Sequence, residues 1–280
     1  MIPILNIPVD AALLARWAGW LAPERQPFFL TADEAKALGL VAEPAPDFTP
    51  EQRDTFQLWN VSAPLVAMLD EAAFLALPAG RRRELVEAQL RHKRGAVAQV
   101  EMWRDVVDTD EAHFIWWPSI LAGHETLIFS RLLAEERLPC RHAEVSKAVW
   151  DKAAPLLPRA RELAGTFASG SGPNCFGTVM AAAGVAGAEH EWMQREPFEA
   201  WLSACTVAGG EPTTPGVVLV WRGDNGLVQH AALTLGGGYT LHKPSQGWDS
   251  PRQVLKLAEV QVLFAEMGEL TYHTLKPRTQ

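Results

Sequence analysis

Cysteine is scarce in this chain of 280 residues, which contains only Cys140, Cys175 and Cys205. An odd number of widely spaced cysteines cannot form a framework of paired disulfides, and no two of them have the CxxC spacing. These features exclude a small secreted scaffold that is held together by disulfides.

A long uninterrupted apolar run is also missing from the first part of the chain. Residues 1–26 are rich in apolar side chains, but Asp10, Arg16 and the charged pair at 24–25 interrupt them, and no cluster of Lys or Arg precedes them. We therefore expect neither a signal peptide nor a membrane span. This pattern favours a cytoplasmic protein.

Basic residues are fewer than acidic ones, with 25 Lys and Arg against 33 Asp and Glu, and the formal net charge is −8. A negative surface repels phosphate backbones and anionic lipids, which argues against a general nucleic-acid or anionic-membrane binder. The one basic run, RRRELVEAQLRHKR at residues 81–94, alternates with Glu and Leu. Such alternation is typical of a solvated helix face.

Apolar residues recur at helical spacing through most of the first half of the chain. Gly39 is expected to end one helix, and the sequence Thr-Pro-Glu-Gln at residues 49–52 is typical of a capping box with proline in the first turn. The predicted helices cover residues 10–22, 31–40, two segments within 62–104, 119–137 and 142–164.

The composition changes at residue 165, where a Gly/Ser-rich loop begins and short β-rich runs follow. The expected elements are a helix after residue 175, strands over 215–223, 227–235 and 239–245, a helix over 250–267 and a strand over 268–276. We therefore predict an α+β fold. An all-α domain of unknown role would occupy residues 1–160, and a second domain would occupy residues 161–280.

Cys175 stands at the predicted start of a helix, in the stretch GPNCFGTVMAAAGV at residues 172–185. Asn174 is a good N-cap, and the positive end of a helix dipole favours a thiolate. This position indicates a nucleophilic cysteine whose pKa is lowered. The alternative is a buried structural thiol, because free cysteine is among the most buried residue types.

Two histidines lie twelve residues apart, His230 and His242, on predicted strands joined by the glycines at 236–238. In an antiparallel pair they can approach each other on one face. One histidine would then accept the thiol proton, and the other would orient the ring of the first, as the third group does in nucleophilic triads. A lone histidine on such a strand would more often be a satisfied core residue.

The order and spacing of these residues resemble the NlpC-type branch of the papain-like cysteine peptidases. NCFGTVMAAAGV resembles the DCSGFV-type motif of that family and the helix that follows it. PGVVLVW resembles the P-G-D-L-V-F-F strand, and HAALTLGGGYTLHKPSQG resembles the segment H-V-G-I-Y-x-G-x-G-x-x-I-H-A-x-x-G. The resemblance covers residues 165–275 and implies Cys175 as nucleophile, His230 as base and His242 as the orienting third member.

The sequence departs from the family pattern at three positions. Asn174 replaces the usual aspartate, Phe176 the usual serine and Val217 the aspartate of the P-G-D turn. The family tyrosine upstream of the cysteine is also missing, which leaves the Cys175 backbone N–H as the one oxyanion donor that can be named. These departures affect substrate recognition more than nucleophilicity.

Two tryptophans, Trp221 and Trp248, bracket the histidine strands and are candidates to line a substrate cleft, with packing of the sheet as the alternative. The remaining histidines do not have the spacing of a metal site, and we expect neither a metal nor another cofactor. Cys140 precedes Arg141 and His142, but the sequence indicates no base for it.

These features predict a cysteine peptidase or amidase that acts on a peptide, such as a peptidoglycan stem peptide or another muropeptide-like substrate, through a thioester on Cys175. One alternative is a papain-like protein that binds without catalysis, although such a protein has no need of all three residues. Another is a thiol acyltransferase acting on a lipid or another amide or ester. In such relatives the histidine tends to precede the cysteine, the reverse of the order here.

Overall fold

The computed structural model describes residues 2–135 and 137–277. It divides the chain into two compact units: an N-terminal unit, residues 10–132, and a C-terminal unit, residues 1–9 together with 133–280. This division differs from the predicted one, because the segment from 133 to 160 packs into the core of the C-terminal unit. The chain begins with two short strands of that unit, β1 (Ile2–Ile4) and β2 (Ile7–Val9).

The N-terminal unit combines helices with short antiparallel sheets. Its elements are α1 (Ala11–Leu21), β3 (Arg25–Leu30), α2 (Ala32–Leu38), β4 (Glu43–Pro44), α3 (Pro50–Thr55), β5 (Leu65–Asp70), α4 (Glu71–Ala76), α5 (Ala79–Arg91), β6 (Val97–Gln99), β7 (His113–Ile115), α6 (Pro118–Leu121) and α7 (Glu125–Ala134), whose last residues belong to the C-terminal unit. Strands β3, β5 and β4 form one sheet, and β6 pairs with β7.

The prediction of an all-α first domain is therefore wrong. The predicted helix after residue 62 is in fact strand β5 followed by α4, which Asp70 caps. Strand β3 is buried along five of its six residues. A short apolar run of this kind has no alternation that distinguishes a buried strand from a buried helix. The predicted Gly39 terminus and the capping box between Thr49 and Gln52 are both confirmed.

The C-terminal unit is built on a seven-stranded antiparallel sheet. Its further elements are α8 (Lys147–Ala153), α9 (Ala160–Leu163), β8 (Thr166–Phe167), α10 (Cys175–Ala182), α11 (Arg195–Cys205), β9 (Thr206–Ala208), β10 (Pro215–Arg222), β11 (Val228–Gly236), β12 (Tyr239–His242), β13 (Pro251–Lys256), α12 (Leu257–Leu263) and β14 (Glu269–Leu275). The strand order is β8-β13-β12-β11-β10-β14-β9.

The predicted helix over residues 250–267 is only partly correct, since strand β13 precedes the shorter helix α12. Pro251 lies at the start of the predicted helix, but it begins a strand and pairs with Phe167 of β8. Proline is tolerated at the first residue of a strand. The mixed α+β character of the chain and the strands β10, β11, β12 and β14 agree with the prediction.

Helix α10 is buried along its whole length and packs on β11 and β12. Its close packing depends on Gly177, where a Cβ atom would lie 2.3 Å from the carbonyl oxygen of Ala188. Among the described residues, no helix is both long and apolar enough to cross a membrane.

Candidate functional site

The N-terminus of α10 is fixed by Asn174, as the sequence predicts. Its Oδ1 accepts the backbone N–H of Gly177 at 3.1 Å, and its Nδ2 donates to the carbonyl oxygen of Met193 at 2.8 Å. One side chain thus caps the helix and ties it to the chain that follows it. Cys175 is the first residue of the helix.

The Cys175 thiol is almost completely enclosed, with 8% of the residue exposed. Burial raises its pKa to about 11, although the backbone N–H groups of Ala231, Phe176 and Cys175 and the charge of Lys243 act in the opposite direction. The predicted lowering of this pKa is therefore not found. The helix N-terminus does favour the thiolate, but the loss of hydration outweighs it.

The two predicted histidines lie together at the end of the β11–β12 pair. The paired register runs to Leu233 opposite Leu241, and His242 comes immediately after it. The rings of His230 and His242 meet edge to face, with their centroids 6.0 Å apart at 82°. The antiparallel hairpin therefore brings the two imidazoles into proximity, as the twelve-residue spacing suggests.

Phe264 covers both imidazoles, although nothing in its sequence context indicates this role. Its ring stacks on His230 with centroids 3.8 Å apart and 20° between the planes, and it meets His242 edge to face at 5.4 Å. Trp221 lies opposite His230 across the β10–β11 pair, with 5.4 Å between the ring centroids. Trp221 is only 1% exposed, so it packs against the sheet and presents no surface to a substrate.

Several polar atoms around the histidines are buried without a hydrogen-bond partner: His230 Nε2, His242 Nδ1, Thr240 Oγ1 and Gln253 Oε1. Gln253 Nε2 lies 3.2 Å from His242 Nε2. Each unsatisfied buried group costs about 1–3 kcal/mol of stability. Burial lowers the pKa of His230 well below its ordinary value and that of His242 to about 3, so both imidazoles are neutral at pH 7.

Cys175 approaches the strand that carries His230 but not the His230 imidazole. The backbone N–H of Ala231, the residue that directly follows His230, lowers the pKa of the thiol, and the side chains of neighbouring strand residues face opposite sides of the sheet. Within residues 2–135 and 137–277, no hydrogen bond joins the Cys175 sulfur to either imidazole. Cys175 and Ala231 belong to one buried cluster, whereas Trp221 and Phe264, which contact His230, belong to another. The structure therefore pairs the two histidines but does not bring the thiol to them.

Lys243 is a further charged residue of this region. It is fully buried, and its Nζ donates to the carbonyl oxygens of Ser245 at 2.6 Å and Gly247 at 2.9 Å. Its charge favours the thiolate form of Cys175. In the sequence, only the position of Lys243 directly after His242 could have indicated that it belongs to this region. Nearby, the backbone N–H of Trp248 donates to Ser171 Oγ at 3.2 Å, and the Trp248 side chain is largely buried.

Cys140 has an imidazole neighbour that the sequence analysis did not assign to it. His142 Nδ1 lies 3.2 Å from Cys140 Sγ, and the backbone N–H of Val254 donates to the same sulfur at 3.2 Å. Burial raises the pKa of Cys140 and lowers that of His142. This contact is a natural internal control for the Cys175 site.

Metal ligands are not gathered here. In the part of the chain that the structure describes, no group of three or more His, Cys, Asp or Glu side chains is placed to hold a metal ion.

The buried histidines make stability depend on pH in a defined window. The unfolded chain binds protons at the ordinary histidine pKa of about 6.5, whereas His230 and His242 do so only at lower pH. Stability is therefore complete above about pH 6.5 and falls below it, by up to about 1.4 kcal/mol per pH unit for each histidine. Urea unfolding of the wild type between pH 7 and 5 is expected to show this decline.

His242→Gln isolates one part of that decline. The variant removes one of the two titrating groups, so its free energy of unfolding should fall less steeply over the same range. Other groups titrate equally in both proteins and cancel in the comparison. Identical slopes would mean that His242 is not held neutral in the folded state.

No protein-family model matches the chain, and comparisons with curated proteins and with solved structures returned no similar protein.

Proposed function

We propose that this chain is a cysteine hydrolase that cleaves a peptide amide bond through a thioester on Cys175. The observation that carries the proposal is the pair of buried imidazoles on β11 and β12, the two strands against which α10 packs with Cys175 at its start. His230 Nε2 and His242 Nδ1 have no hydrogen-bond partner. Burying two unsatisfied imidazoles lowers stability, and a role in proton transfer gives a reason for it.

The proposed reaction requires a rearrangement that brings the Cys175 thiol within hydrogen-bond distance of His230. The thiol then gives its proton to His230 as the sulfur attacks the carbonyl carbon. The C–N bond then breaks, and the imidazolium of His230 returns the proton to the departing amine. Water, deprotonated by His230, hydrolyses the thioester and releases the acid and the free thiol. His242 orients the ring of His230 throughout. Because the resting thiol is neutral, proton transfer accompanies the attack.

The helix N-terminus offers donors for the oxyanion of each tetrahedral intermediate. The backbone N–H groups of Cys175 and Phe176 both face the sulfur. The cap on Gly177 and the bond from Thr178 to the Asn174 carbonyl leave these two first-turn groups outside the helical pattern. Phe176 N–H thus supplies the second donor that sequence reasoning could not name.

The substrate class in this proposal rests on the resemblance of residues 165–275 to the papain-like NlpC-type peptidases. We assign a peptide or muropeptide-like substrate on that basis. If an amine or alcohol intercepts the thioester instead of water, the same site transfers the acyl group, and the chain is an acyltransferase.

A second candidate is a binding protein without catalysis. The raised pKa of Cys175, about 11, and its small exposed fraction favour this interpretation, since a structural thiol has the same properties. The two candidates differ in whether an acyl group can be transferred to Cys175.

Trapping the acyl-enzyme distinguishes them. On brief incubation with p-nitrophenyl esters of N-acylated amino acids, the wild type should gain one acyl group at Cys175 by peptide-mapping mass spectrometry, and hydroxylamine should remove it. Cys140→Ser, which removes the buried thiol that lies 3.2 Å from His142 Nδ1, should still be acylated at Cys175 to the wild-type extent. Acylation of Cys205 alone, or of no cysteine, would contradict catalysis and favour the binding protein.

A further inference from the structure

The N-terminal unit contains a cavity of about 570 Å³ beside helix α5. This volume is within the range of small-molecule sites, about 300–1,000 Å³. The walls come from α4, α5 and the segment from residue 107 to residue 120. We call it the α5 cavity.

Aromatic side chains form one side of the α5 cavity. Trp117 and Phe74 lie with their ring centroids 5.3 Å apart at 41°, and Phe114 lines the same space. The methyl groups of Val86 add to this surface. Such a wall suits the flat or aliphatic body of an organic ligand.

One buried donor in this wall lacks an acceptor. Trp117 is 3% exposed, and its indole Nε1 has no hydrogen-bond partner. A buried N–H without a partner is unfavourable, and buried indoles usually find an acceptor. Because Nε1 itself is not accessible from the cavity, an acceptor oxygen of a ligand would satisfy it only after a rotation of the indole ring.

The charges around the α5 cavity are mostly negative. Arg83 is paired with Glu111 at 2.5 Å and 2.9 Å, and Arg82 donates to the carbonyl oxygens of Leu75 and Leu77. Among the described residues, the other four acidic residues of the lining take part in no ion pair. They are Glu71, which accepts hydrogen bonds from Ser119, and Glu87, Asp108 and Asp110. With both guanidinium groups occupied, the lining attracts a cation and disfavours an anion.

We propose that the α5 cavity binds a small organic amine, with its aromatic or aliphatic body against Trp117 and Phe74. Its ammonium group faces the acidic lining, and an acceptor oxygen takes the Trp117 Nε1 hydrogen. An ammonium near aromatic faces gains a further cation–π attraction. This site is independent of the chemistry proposed for Cys175, and its test does not use hydrolytic activity.

A series of compounds on one skeleton tests each part of this proposal. Tyramine carries the ammonium and a hydroxyl oxygen, phenethylamine lacks the oxygen, and 4-hydroxyphenylacetate replaces the ammonium with a carboxylate. Calorimetry should give tyramine a dissociation constant below about 1 mM. Phenethylamine should bind more weakly, by about threefold or more, and the carboxylate weakest.

The indole N–H signal of Trp117 reports where binding occurs. It is identified in the ¹H–¹⁵N spectrum as the signal that Trp117→Phe removes, and tyramine should shift it on saturation. Asp108→Asn combined with Asp110→Asn should weaken tyramine roughly threefold while leaving 4-hydroxyphenylacetate no weaker. Ala112→Phe, at an exposed position of the lining, should block binding without altering the buried core.

Three results would overturn the proposal. One is that no compound binds saturably. Another is that tyramine binds but neither shifts the Trp117 signal nor responds to Ala112→Phe, which places it elsewhere. The third is that the carboxylate binds most tightly, which contradicts the assignment of a cationic ligand.

Discussion

Replacing His230 with alanine is expected to lower kcat/KM for a peptide amide by about 10⁴-fold, and Cys175→Ala should be at least as damaging. The reason is that the resting thiol has a pKa of about 11, so almost no thiolate exists at pH 7 without a base. Residues of one catalytic unit are strongly non-additive. The double variant should therefore be no slower than Cys175→Ala alone.

The matched control is His142→Ala, which removes the imidazole that contacts the buried Cys140 thiol. It should keep the wild-type kcat/KM, since Cys140 takes no part in the reaction. Circular dichroism and thermal melting of all four proteins separate loss of catalysis from loss of fold. A His230→Ala variant that is folded and fully active would remove this histidine from the mechanism.

The parts of the site that the sequence predicted are those set by local rules. Asn174 caps a helix at Cys175 because Asx residues accept first-turn N–H groups. His230 and His242 approach each other because an antiparallel hairpin joins their strands. Both relations act over a few residues or one hairpin, and the pattern of residue types encodes them directly.

The parts that the sequence did not predict depend on distant packing. The pKa of Cys175 follows from how deeply α10 is buried, and the helix N-terminus alone indicated the opposite direction. Phe264 lies 34 positions after His230 in sequence, yet it stacks on that ring. The contact between Cys140 and His142 is local, but Val254 completes it from strand β13.

The fold shows the same division between local and distant information. Capped helices such as α2 and α3 were identified from their end signals. Strand β5 was mistaken for part of a helix, because its sequence LVAMLD has no strict apolar–polar alternation. Strand β3, which lies between two predicted helices, was not predicted. The two compact units divide at residue 133, and residues 140–160, although helical in sequence, contribute to the core of the second unit.

Phe264→Ala should destabilise the C-terminal unit by about 3–5 kcal/mol, the usual loss for a buried phenylalanine. The cavity would also admit water to His230 Nε2 and His242 Nδ1, which now lack partners. Hydration raises the pKa of both histidines toward the ordinary value. The decline in stability below pH 6.5 should therefore become shallower, which urea unfolding at several pH values measures.

Phe198→Ala separates the two effects of this substitution. Phe198 is also fully buried in the C-terminal unit, but it stacks on Phe176 with centroids 4.5 Å apart and no ring contact joins it to the histidines in the described residues. Phe198→Ala should lower the free energy of unfolding by a similar amount, and the pH dependence of that free energy should remain as in the wild type. If both variants retain that dependence, the enclosure by Phe264 does not hold the imidazoles neutral. If only Phe264→Ala makes the pH dependence of stability shallower, the exclusion of water by the Phe264 ring keeps the proposed base, His230, neutral in the resting protein.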